Sequence, residues 1–336
     1  MIMMIKTIRV MLIPNNKQKT KLFQYANTAR FAYNWALGRE QENYKNGGKF
    51  ISDGDLRKEF TQLKKMDEYV WLKSVSNNVT KQAIKDACIA YKNFFKGKSK
   101  YPRFKSKKKT RPSFYQDNVK IKFTNTHVKF ESFSSSKKRN KAKLNWVRLA
   151  EHGRVPTDID IKYMNPRVTF DGIHWWISVG IECPDHEEIP MNDGIGIDLG
   201  IKDLAICSDD HTYKNIHKSK TIKKLEKRKR RLQRSISRKY ENNKKGESYC
   251  KTSNIIKREK ELLKVNHRLT NIRKNYLHQT TSEIVNRKPR FICIEDLKLS
   301  DRIYKCDCGN VIDRDFQASI NLKRYGEMGL EQQSVS

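Results

Sequence analysis

Two apolar segments in the second half of the chain each carry an acidic residue where a strand is expected. The first is Gly194-Ile195-Gly196-Ile197-Asp198-Leu199-Gly200, and the second is Phe291-Ile292-Cys293-Ile294 followed by Glu295. Apolar strands need a core, and an ionised carboxylate beside a core is unfavourable unless a cation or hydrogen bonds compensate it. The sequence therefore predicts an α/β fold in which these carboxylates have a partner.

A third acidic group follows near the C-terminus, where Asp313 and Asp315 flank Arg314. Carboxylates that converge are typical ligands of a divalent cation such as Mg²⁺. Sites of this kind commonly cut phosphodiesters. Taken singly, each acid has a simpler interpretation, for example Asp313 as the N-cap of a helix, so the hypothesis depends on the whole array.

The charge of the chain indicates a polyanionic partner. Lys and Arg number 71 against 37 Asp and Glu, a formal net charge of +34. Nucleic acid is favoured over a membrane surface, because no apolar stretch reaches the roughly 18 to 20 residues of a spanning helix. The segment Met1 to Val10 is too interrupted by charge to be a signal peptide. Seven cysteines, an odd number, are typical of a reducing cytoplasm.

The N-terminal part predicts a strand followed by helices. The strand covers Lys6 to Pro14, and a first helix begins near Asn16. A second helix starts at Ser52 or Asp53, and a third covers about Ser76 to Phe95. Apolar residues at helical spacing give the first helix one buried face: Phe23, Ala26, Ala29, Tyr33 and Leu37.

A basic segment with aromatic rings follows the third helix, from Lys96 to Lys109. Cations neutralise phosphates, and aromatic faces stack on bases or sugars. The simpler alternative is a solvated loop. The candidate nucleic-acid contacts in this segment are Lys98, Lys100, Tyr101, Arg103, Phe104 and Lys105.

The pattern changes to strands between Val119 and Glu182. Val119 to Phe123 alternates strictly, and Arg167 to Phe170 joins Trp175 to Val179 across a turn that contains Asp171-Gly172. The first strand of the chain could pair with this β-rich block. A polar stretch from Pro184 to Pro190 is predicted to be a linker.

A long basic helical region follows the strand pair at Gly194 to Ser208. Residues 218 to 245 contain 14 Lys or Arg among 28. A thin apolar stripe of Ile222, Leu225, Leu232 and Ile236 predicts a hairpin with the next helix, about Asn254 to Arg287. Such a hairpin can lie along a duplex backbone, and a solvated arm is the alternative. Its candidate contacts are Lys227, Arg228, Arg231 and Arg234.

Two phosphate-binding motifs are disfavoured at Gly194-Ile195-Gly196. A dinucleotide site places its acidic residue about 20 residues after the glycines, whereas Asp198 stands inside the strand. Actin-like ATPases resemble this segment, but they carry Thr or Ser after the second glycine, where this chain has Ile201-Lys202. The three carboxylates Asp198, Glu295 and Asp315 instead match a ribonuclease-H-like nuclease, in which such residues hold two Mg²⁺ ions.

Short motifs are distributed along nearly the whole chain. They are Phe31-Ala32-Tyr33-Asn34-Trp35, Tyr101-Pro102-Arg103-Phe104-Lys105, Gly196-Ile197-Asp198-Leu199-Gly200, Ile294-Glu295-Asp296-Leu297, Tyr304-Lys305-Cys306, Cys308-Gly309, Asp313-Arg314-Asp315 and Asn321-Leu322. Together these motifs resemble the TnpB family, also called OrfB, of small bacterial insertion sequences, which is similar to type V CRISPR effectors.

The resemblance implies an α/β and α+β multidomain protein that contains a ribonuclease-H-like RuvC nuclease domain. It also implies a guide RNA from the transposon end, double-stranded target DNA and Mg²⁺-dependent cutting, with Asp198, Glu295 and Asp315 as catalytic and Mg²⁺-binding residues. The expected domains are a β-rich wedge (1–15 and 118–190), a helical recognition domain (16–117), a RuvC-like domain (191–297) with an inserted hairpin (218–287), a zinc-ribbon remnant with the final RuvC helix (298–326, the helix covering Phe316 to Tyr325), and a disordered tail (327–336).

The chain departs from the family after Glu295. Only ten residues separate Glu295 from Cys306, where relatives have some tens of residues and a first cysteine pair, so the copy is internally shortened. Cys306 and Cys308 remain without a partner pair, whereas tetrahedral zinc is coordinated by four ligands. Cys207 and Cys293 are expected to face the core, so zinc is not favoured.

The family's Asp-x-Asn-Ala-Ala motif is also replaced here, by Asp315-Phe316-Gln317-Ala318-Ser319.

The favoured hypothesis is an RNA-guided DNA-binding protein with RuvC-type endonuclease chemistry, and whether cleavage survives is left open. The alternatives are a non-cleaving RNA-guided binding module and a decayed transposon protein. Oligomeric state is not predicted.

Overall fold

A computed structural model describes residues 3–107, 109–131, 144–158, 161–184, 192–294, 319, 322 and 323. The chain divides into two compact units, Met1–His186 and Glu187–Ser336. The predicted tail and the predicted linker after Pro184 lie outside the described residues, and Pro184 itself is the last residue of a strand. In the described part of the chain, no helix is long and apolar enough to cross a membrane.

Polar caps set the starts of the helices in the first unit. Asn15 and Gln18 form a capping box, in which each side chain accepts the backbone N–H of the other. Ser52 and Ser76 accept a backbone N–H at the starts of the next two helices. The predicted starts are confirmed. The helices are α1 (Asn16–Lys45), α2 (Asp53–Leu63) and α3 (Asn77–Phe95), with a short 3₁₀ helix at Asp67–Ser74.

The predicted apolar face of α1 is buried for most of its length. Ala26, Ala29, Tyr33 and Leu37 are buried as expected. Phe23 departs from the prediction, since 36% of it is exposed. Its ring meets the edges of aromatic side chains from the sheet, so it covers the rim of the core rather than filling it.

A seven-stranded sheet supports these helices, with strand order β2-β6-β7-β1-β5-β4-β3. The first strand lies inside the sheet and pairs antiparallel with β7 from Met3↔Pro184 to Leu12↔Trp175, and also with β5. The predicted pairing of the first strand with the β-rich block is confirmed. The strands are β1 (Met3–Ile13), β2 (Ser113–Tyr115), β3 (Lys122–Phe123), β4 (His127–Lys129), β5 (Trp146–Leu149), β6 (Met164–Phe170) and β7 (Trp175–Pro184).

One predicted strand in this sheet is wrong for most of its length. Only Lys122–Phe123 of the alternating stretch is extended. The Asp117 carboxylate accepts the backbone N–H groups of Val119 and Lys120, both at 3.0 Å, and closes a turn there. The predicted hairpin between β6 and β7 is confirmed, with Gly172 at φ +104° in its turn.

The helices and the sheet of the first unit share one hydrophobic core, which includes side chains from α1, α2, α3 and both halves of the sheet. Polar contacts reinforce this packing. Arg167 on β6 donates two hydrogen bonds to Asp86 on α3, at 2.7 and 2.9 Å. Glu131 accepts from Ser76 at the start of α3 and from Lys120. The helical layer is thereby fixed to the sheet.

The second unit contains a four-stranded sheet of order β10-β9-β8-β13. Strands β8, β9 and β10 are antiparallel neighbours, and β13 pairs parallel with β8. Its elements are β8 (Ile195–Asp198), β9 (Asp203–Cys207), β10 (Thr212–Lys214), a 3₁₀ turn (Ile216–Lys218), α4 (Lys220–Glu241), β11 (Lys244–Lys245), β12 (Ser248–Tyr249), α5 (Ser253–Asn286) and β13 (Ile292–Ile294).

The predicted hairpin is confirmed. The four stripe residues of α4 are all buried, and three of them form a cluster with Val265 and Leu269 of α5. Arg273 of α5 also donates to Glu226 of α4 at 2.9 Å. At the end of α5, Arg287 donates to Asp209 and to the Tyr213 hydroxyl, so the base of the hairpin is attached to the sheet.

Candidate functional site

Asp198 is the last residue of β8, in the interior of the four-stranded sheet. All four residues of β8 are buried, and only 8% of Asp198 is exposed. The strand is apolar because it lies between two neighbours, with Ile197 opposite Cys207 on one side and Ile294 on the other. A carboxylate is thereby held at the edge of a core, as the sequence predicted.

The parallel partner of β8 leads to the second predicted carboxylate. Its register is Ile292↔Ile195, Cys293↔Gly196 and Ile294↔Ile197. The next residue of the chain after Ile294 is Glu295, which lies outside the described residues. Because the two strands are parallel, their carboxyl ends meet at the same edge of the sheet.

Gly196, in the middle of β8, has the C-terminal segment directly against it. A methyl group at Gly196 would lie 1.9 Å from the carbonyl oxygen of Ser319 and 2.5 Å from the backbone nitrogen of Lys323. Ser319 is fully buried, and the Lys323 amine lies 3.6 Å from the Asp193 carboxylate. Residues 319, 322 and 323 are helical. Only glycine permits backbone to approach this closely.

The remaining predicted metal ligands, Asp315, Cys306 and Cys308, lie outside the described residues, as does Glu295. Within the described ranges, no three His, Cys, Asp or Glu side chains gather as they would around a metal ion. Cys207 faces the core as expected, and burial raises the pKa of its thiol. Cys293 is only half-buried.

The basic segment after α3 presents most of its predicted contacts to solvent. Lys98, Lys100, Tyr101, Arg103 and Phe104 are all exposed. Their side chains are therefore available to a partner.

Lys105 differs from its neighbours because it is packed on α1. Its backbone N–H donates to the Asn34 side chain at 2.8 Å, and the Asn34 amide donates to its carbonyl at 2.9 Å. The Lys105 amine lies 3.5 Å from the centre of the Tyr33 ring, and burial lowers the pKa of the amine. Lys105 thus anchors the basic segment to the helix.

A positively charged pocket lies behind this segment, and the sequence did not predict it. Asp86 is the single carboxylate among the described residues that line it, and Arg167 already holds that carboxylate. Such a pocket suits an anion such as a phosphate. Its members are distant in sequence, so no local pattern identifies them. The cationic side chains are Arg30, Lys105, Lys107, Arg111 and Arg167.

The second predicted set of contacts forms one ridge on α4. The burial of the apolar stripe turns the basic residues outward. Further exposed cations on the same helix extend the ridge: Lys223, Lys224, Arg230 and Arg238. All four predicted contacts are exposed: Lys227, Arg228, Arg231 and Arg234.

Two family models match the chain. The model OrfB_IS605, described as "Probable transposase", matches residues 177–303. A second model of the same type, HTH_OrfB_IS605, described as "Helix-turn-helix domain", matches residues 1–49. In this protein, the described part of that second range contains β1 and the single long helix α1 rather than two helices joined by a turn.

Two curated relatives match most of the chain. The protein named "Putative RNA-guided DNA endonuclease InsQ" from Escherichia coli (strain K12) is 28% identical over 301 residues, which cover 88% of this chain and 67% of the relative. The "Putative RNA-guided DNA endonuclease" of Streptomyces pristinaespiralis is 26% identical over 284 residues, with 84% and 65% covered. The chain thus spans about two thirds of the length of these relatives.

A solved structure shares the fold. The cryo-EM structure of a Cas12f1-sgRNA-target DNA complex superposes with a TM-score of 0.53 at 13% identity, covering 96% of this chain and 88% of that one. The two matched models, which together cover about half of the chain, define a protein of the OrfB type. The chain belongs to the TnpB (OrfB) family, which confirms the resemblance found in its motifs.

Proposed function

We propose that this protein binds DNA under the direction of a guide RNA and cuts it with a RuvC-type, metal-dependent site formed by Asp198, Glu295 and Asp315. The observation that carries the proposal is the parallel pairing of β8 with β13. Ile197 and Ile294 are register partners, and the residues that follow them in the chain are Asp198 and Glu295. Two carboxylates that follow paired positions of parallel strands are expected within reach of one cation.

The close contact at Gly196 supports a place for the third carboxylate. Asp315 precedes Ser319 by four residues, about one turn of a helix. The later residue Lys323 reaches Asp193, which lies just before β8 begins. We therefore propose that Asp315 lies toward Asp198, at the other end of the strand. The short interval after Glu295 is thus compatible with an assembled site.

The proposed ligands fit Mg²⁺, since carboxylate oxygens are the donors that this ion prefers. Asp198, Glu295 and Asp315 would hold two ions, which when bound activate water and stabilise the leaving oxygen of a phosphodiester. The chain's own contribution is the burial of Asp198 at the end of a rigid strand. Because this carboxylate is already fixed and poorly hydrated, it would lose little conformational freedom on binding a metal ion.

The proposed partners are a guide RNA from the transposon end and double-stranded target DNA. The names of the curated relatives support an RNA guide and a DNA target, and the exposed cations after α3 and along α4 support a nucleic-acid partner. These side chains suit phosphates of any sequence. The target sequence is then specified by base pairing with the guide rather than by the protein.

The test uses the protein purified with RNA co-expressed from the flanking transposon end. Guide-dependent cleavage of matched DNA is measured with Mg²⁺ and with EDTA. Asp198→Asn keeps the shape of the side chain and removes its charge, so cleavage is expected to disappear while binding remains. Asp203→Asn, on the neighbouring strand β9, is the matched control and is expected to cut normally.

The interval of ten residues between Glu295 and Cys306 favours a second candidate, an RNA-guided module that binds without cutting. Binding of matched DNA by the unaltered protein, with no cleavage at any Mg²⁺ concentration, would support that candidate. If no RNA copurifies and no guide-dependent binding occurs, both candidates fail and a decayed transposon protein remains. Glu295→Gln and Asp315→Asn test the other two acids one at a time. A substitution that abolishes cleavage but leaves DNA binding unchanged identifies that acid as a metal ligand.

A further inference from the structure

Aromatic rings are exposed together at the C-terminal ends of α1 and α3, a surface that the proposed nuclease site does not use. The exposed fractions are 68% for Tyr44, 37% for Phe50, 56% for Phe95 and 47% for Tyr101. These four residues are here named the aromatic platform. A contiguous group of large exposed rings usually marks an interaction site.

Buried Tyr91 on α3 holds the platform together. Its ring stacks on Phe95 at 6.1 Å between centroids, and it meets the edge of the Tyr101 ring at 5.9 Å. The hydroxyl oxygens of Tyr91 and Tyr101 lie 3.4 Å apart. Tyr44 extends the group on the other side, 6.4 Å from Phe95. The exposed rings are thus held in place by contacts with a buried side chain.

Phe50 is held by the turn between α1 and α2. Gly48 donates its N–H to the Asn43 carbonyl at 2.9 Å, and the Asn43 side chain donates to the Lys49 carbonyl. Ile51 donates its N–H to the Glu40 carboxylate at 3.4 Å. The amine of Lys92 on α3 lies 5.4 Å from the centre of the Phe50 ring. The turn therefore fixes Phe50 beside the end of α3.

The charge around the platform indicates the chemistry of its partner. Residues 87–116 contain ten Lys or Arg and no Asp or Glu, and Lys96, Lys98 and Lys100 are exposed. Protein interfaces usually exclude charge, lysine above all, from their apolar centre. Here the cations alternate with the rings along the chain. A polyanion with flat apolar faces fits both features.

We propose that the aromatic platform binds unpaired nucleotides of a single-stranded nucleic acid. Bases would stack on Phe95, Tyr101 and Tyr44, while the neighbouring lysines pair with phosphates. A duplex lacks free base faces, so the rings discriminate between single and double strands, whereas the lysines do not. The inference deepens the proposed function by assigning a stretch of unpaired strand to the first unit, but it does not depend on cleavage.

The test measures fluorescence anisotropy of the full-length protein with labelled single strands of about 12 nucleotides and with the corresponding duplex. Phe95→Leu and Tyr101→Leu keep apolar bulk and remove the stacking face. Each is expected to weaken single-strand binding roughly 5- to 100-fold and to leave duplex binding unchanged. Strands of DNA and of RNA are both used, and a selective loss with either supports the proposal.

Three further variants isolate the cause. Trp146→Leu is the matched control, since Trp146 is an exposed ring with the Lys129 amine 5.6 Å from its centre, and it should bind strands normally. Lys98→Gln should weaken the binding of single strands and of the duplex equally, and the affinity for both should depend less on salt concentration. Tyr101→Trp should retain binding, and the added fluorescence should be quenched when the strand is bound.

Unchanged single-strand affinity in both leucine variants, with normal circular dichroism spectra, would overturn the proposal. So would loss of a concentration-dependent dimer in these variants without loss of strand binding, because the platform would then be an interface between two copies. Asp198→Asn distinguishes this inference from the nuclease site: it should leave single-strand binding intact even if cleavage is lost or was never present.

Discussion

The first unit embeds part of its positive charge, whereas the second unit displays it. Lys64 is buried, Lys105 is half-buried against Tyr33, and Arg167 is bonded to Asp86. On α4, by contrast, the basic residues form an exposed ridge above a thin apolar stripe. These three cations therefore take part in the packing of the first unit, whereas the cations of the α4 ridge remain available to a partner.

The two units also differ in how their apolar side chains connect helices to strands. In the first unit one core connects all three helices with the sheet. In the described part of the second unit, the sheet and the hairpin have two small clusters, and Ile284 of α5 belongs to the cluster of the sheet. Each element there therefore packs on few described buried side chains. We expect core substitutions to affect the first unit most, and surface charge substitutions to affect binding in the second.

The largest effect is expected for Trp175→Ala, which empties a fully buried position of β7. The free energy of unfolding of the first unit should fall by about 3–5 kcal/mol. Leu232→Ala, in the small hairpin cluster, should cost about 2 kcal/mol and leave the first unit's transition in place. Urea unfolding followed by circular dichroism measures both. Equal losses for the two substitutions would break the contrast between the cores.

Gly196→Ala should have the next largest effect, because its methyl group would overlap the backbone of Ser319. The expected loss is about 1–3 kcal/mol in the second unit, together with any cleavage activity. Gly38→Ala is the matched control: the methyl group would meet only the Phe104 ring, at 3.9 Å. Inside α1 it should stabilise by about 0.5–1 kcal/mol. Normal stability of Gly196→Ala would mean that the C-terminal segment is displaced without penalty.

Lys64 should produce a pH dependence in the first unit. Burial lowers the pKa of its amine to about 8, against about 10.4 in an unfolded chain. Between these values the unfolded chain binds more protons, so this group's effect on stability is least favourable below pH 8 and improves as the pH rises toward about 10. In thermal melts, the melting temperature of wild type should therefore rise relative to that of Lys64→Met between about pH 8 and pH 10.

The matched control for this prediction is Lys65→Met, since Lys65 is the exposed neighbour. Its stability relative to wild type should not change with pH. A parallel pH profile for wild type and Lys64→Met would show that the buried amine stays charged at no cost.

The smallest effect on stability is expected on the basic ridge. Arg231→Gln and Arg234→Gln should each change the free energy of unfolding by less than about 0.5 kcal/mol. Each should reduce the slope of log affinity against log salt by about one for nucleic acid, if that side chain contacts a phosphate. Filter binding at several salt concentrations measures the slope. Unchanged slopes for both would identify the ridge as a solvated arm.

Local chemistry made much of this fold predictable. The helix starts near Asn16 and at Ser52 or Asp53 were predicted correctly, and the stripe from Ile222 to Ile236 identified the buried side of α4. The failure at Val119 has a local cause too, since the Asp117 side chain competes for the backbone N–H groups that a strand would use.

The remaining features depend on residues that are far apart in sequence. Asn34 meets Lys105 across 71 residues, and Arg167 meets Asp86 across 81. The role of Gly196 becomes visible only when Ser319 lies against it. Periodicity identified Asp198 as a strand-borne acid, but no pattern within a short window could have identified the cationic pocket or the aromatic platform.

The parallel pairing of β8 with β13 also has a consequence for synthesis on the ribosome. Ile197 and Ile294 are partners although they are separated by 97 positions. At about 5–20 residues per second, Asp198 is made roughly 5–20 seconds before the strand that completes its surroundings. During that interval the growing chain has its basic helices but not the completed sheet. Under the proposed function, these helices are available to a guide RNA before the proposed metal site is complete.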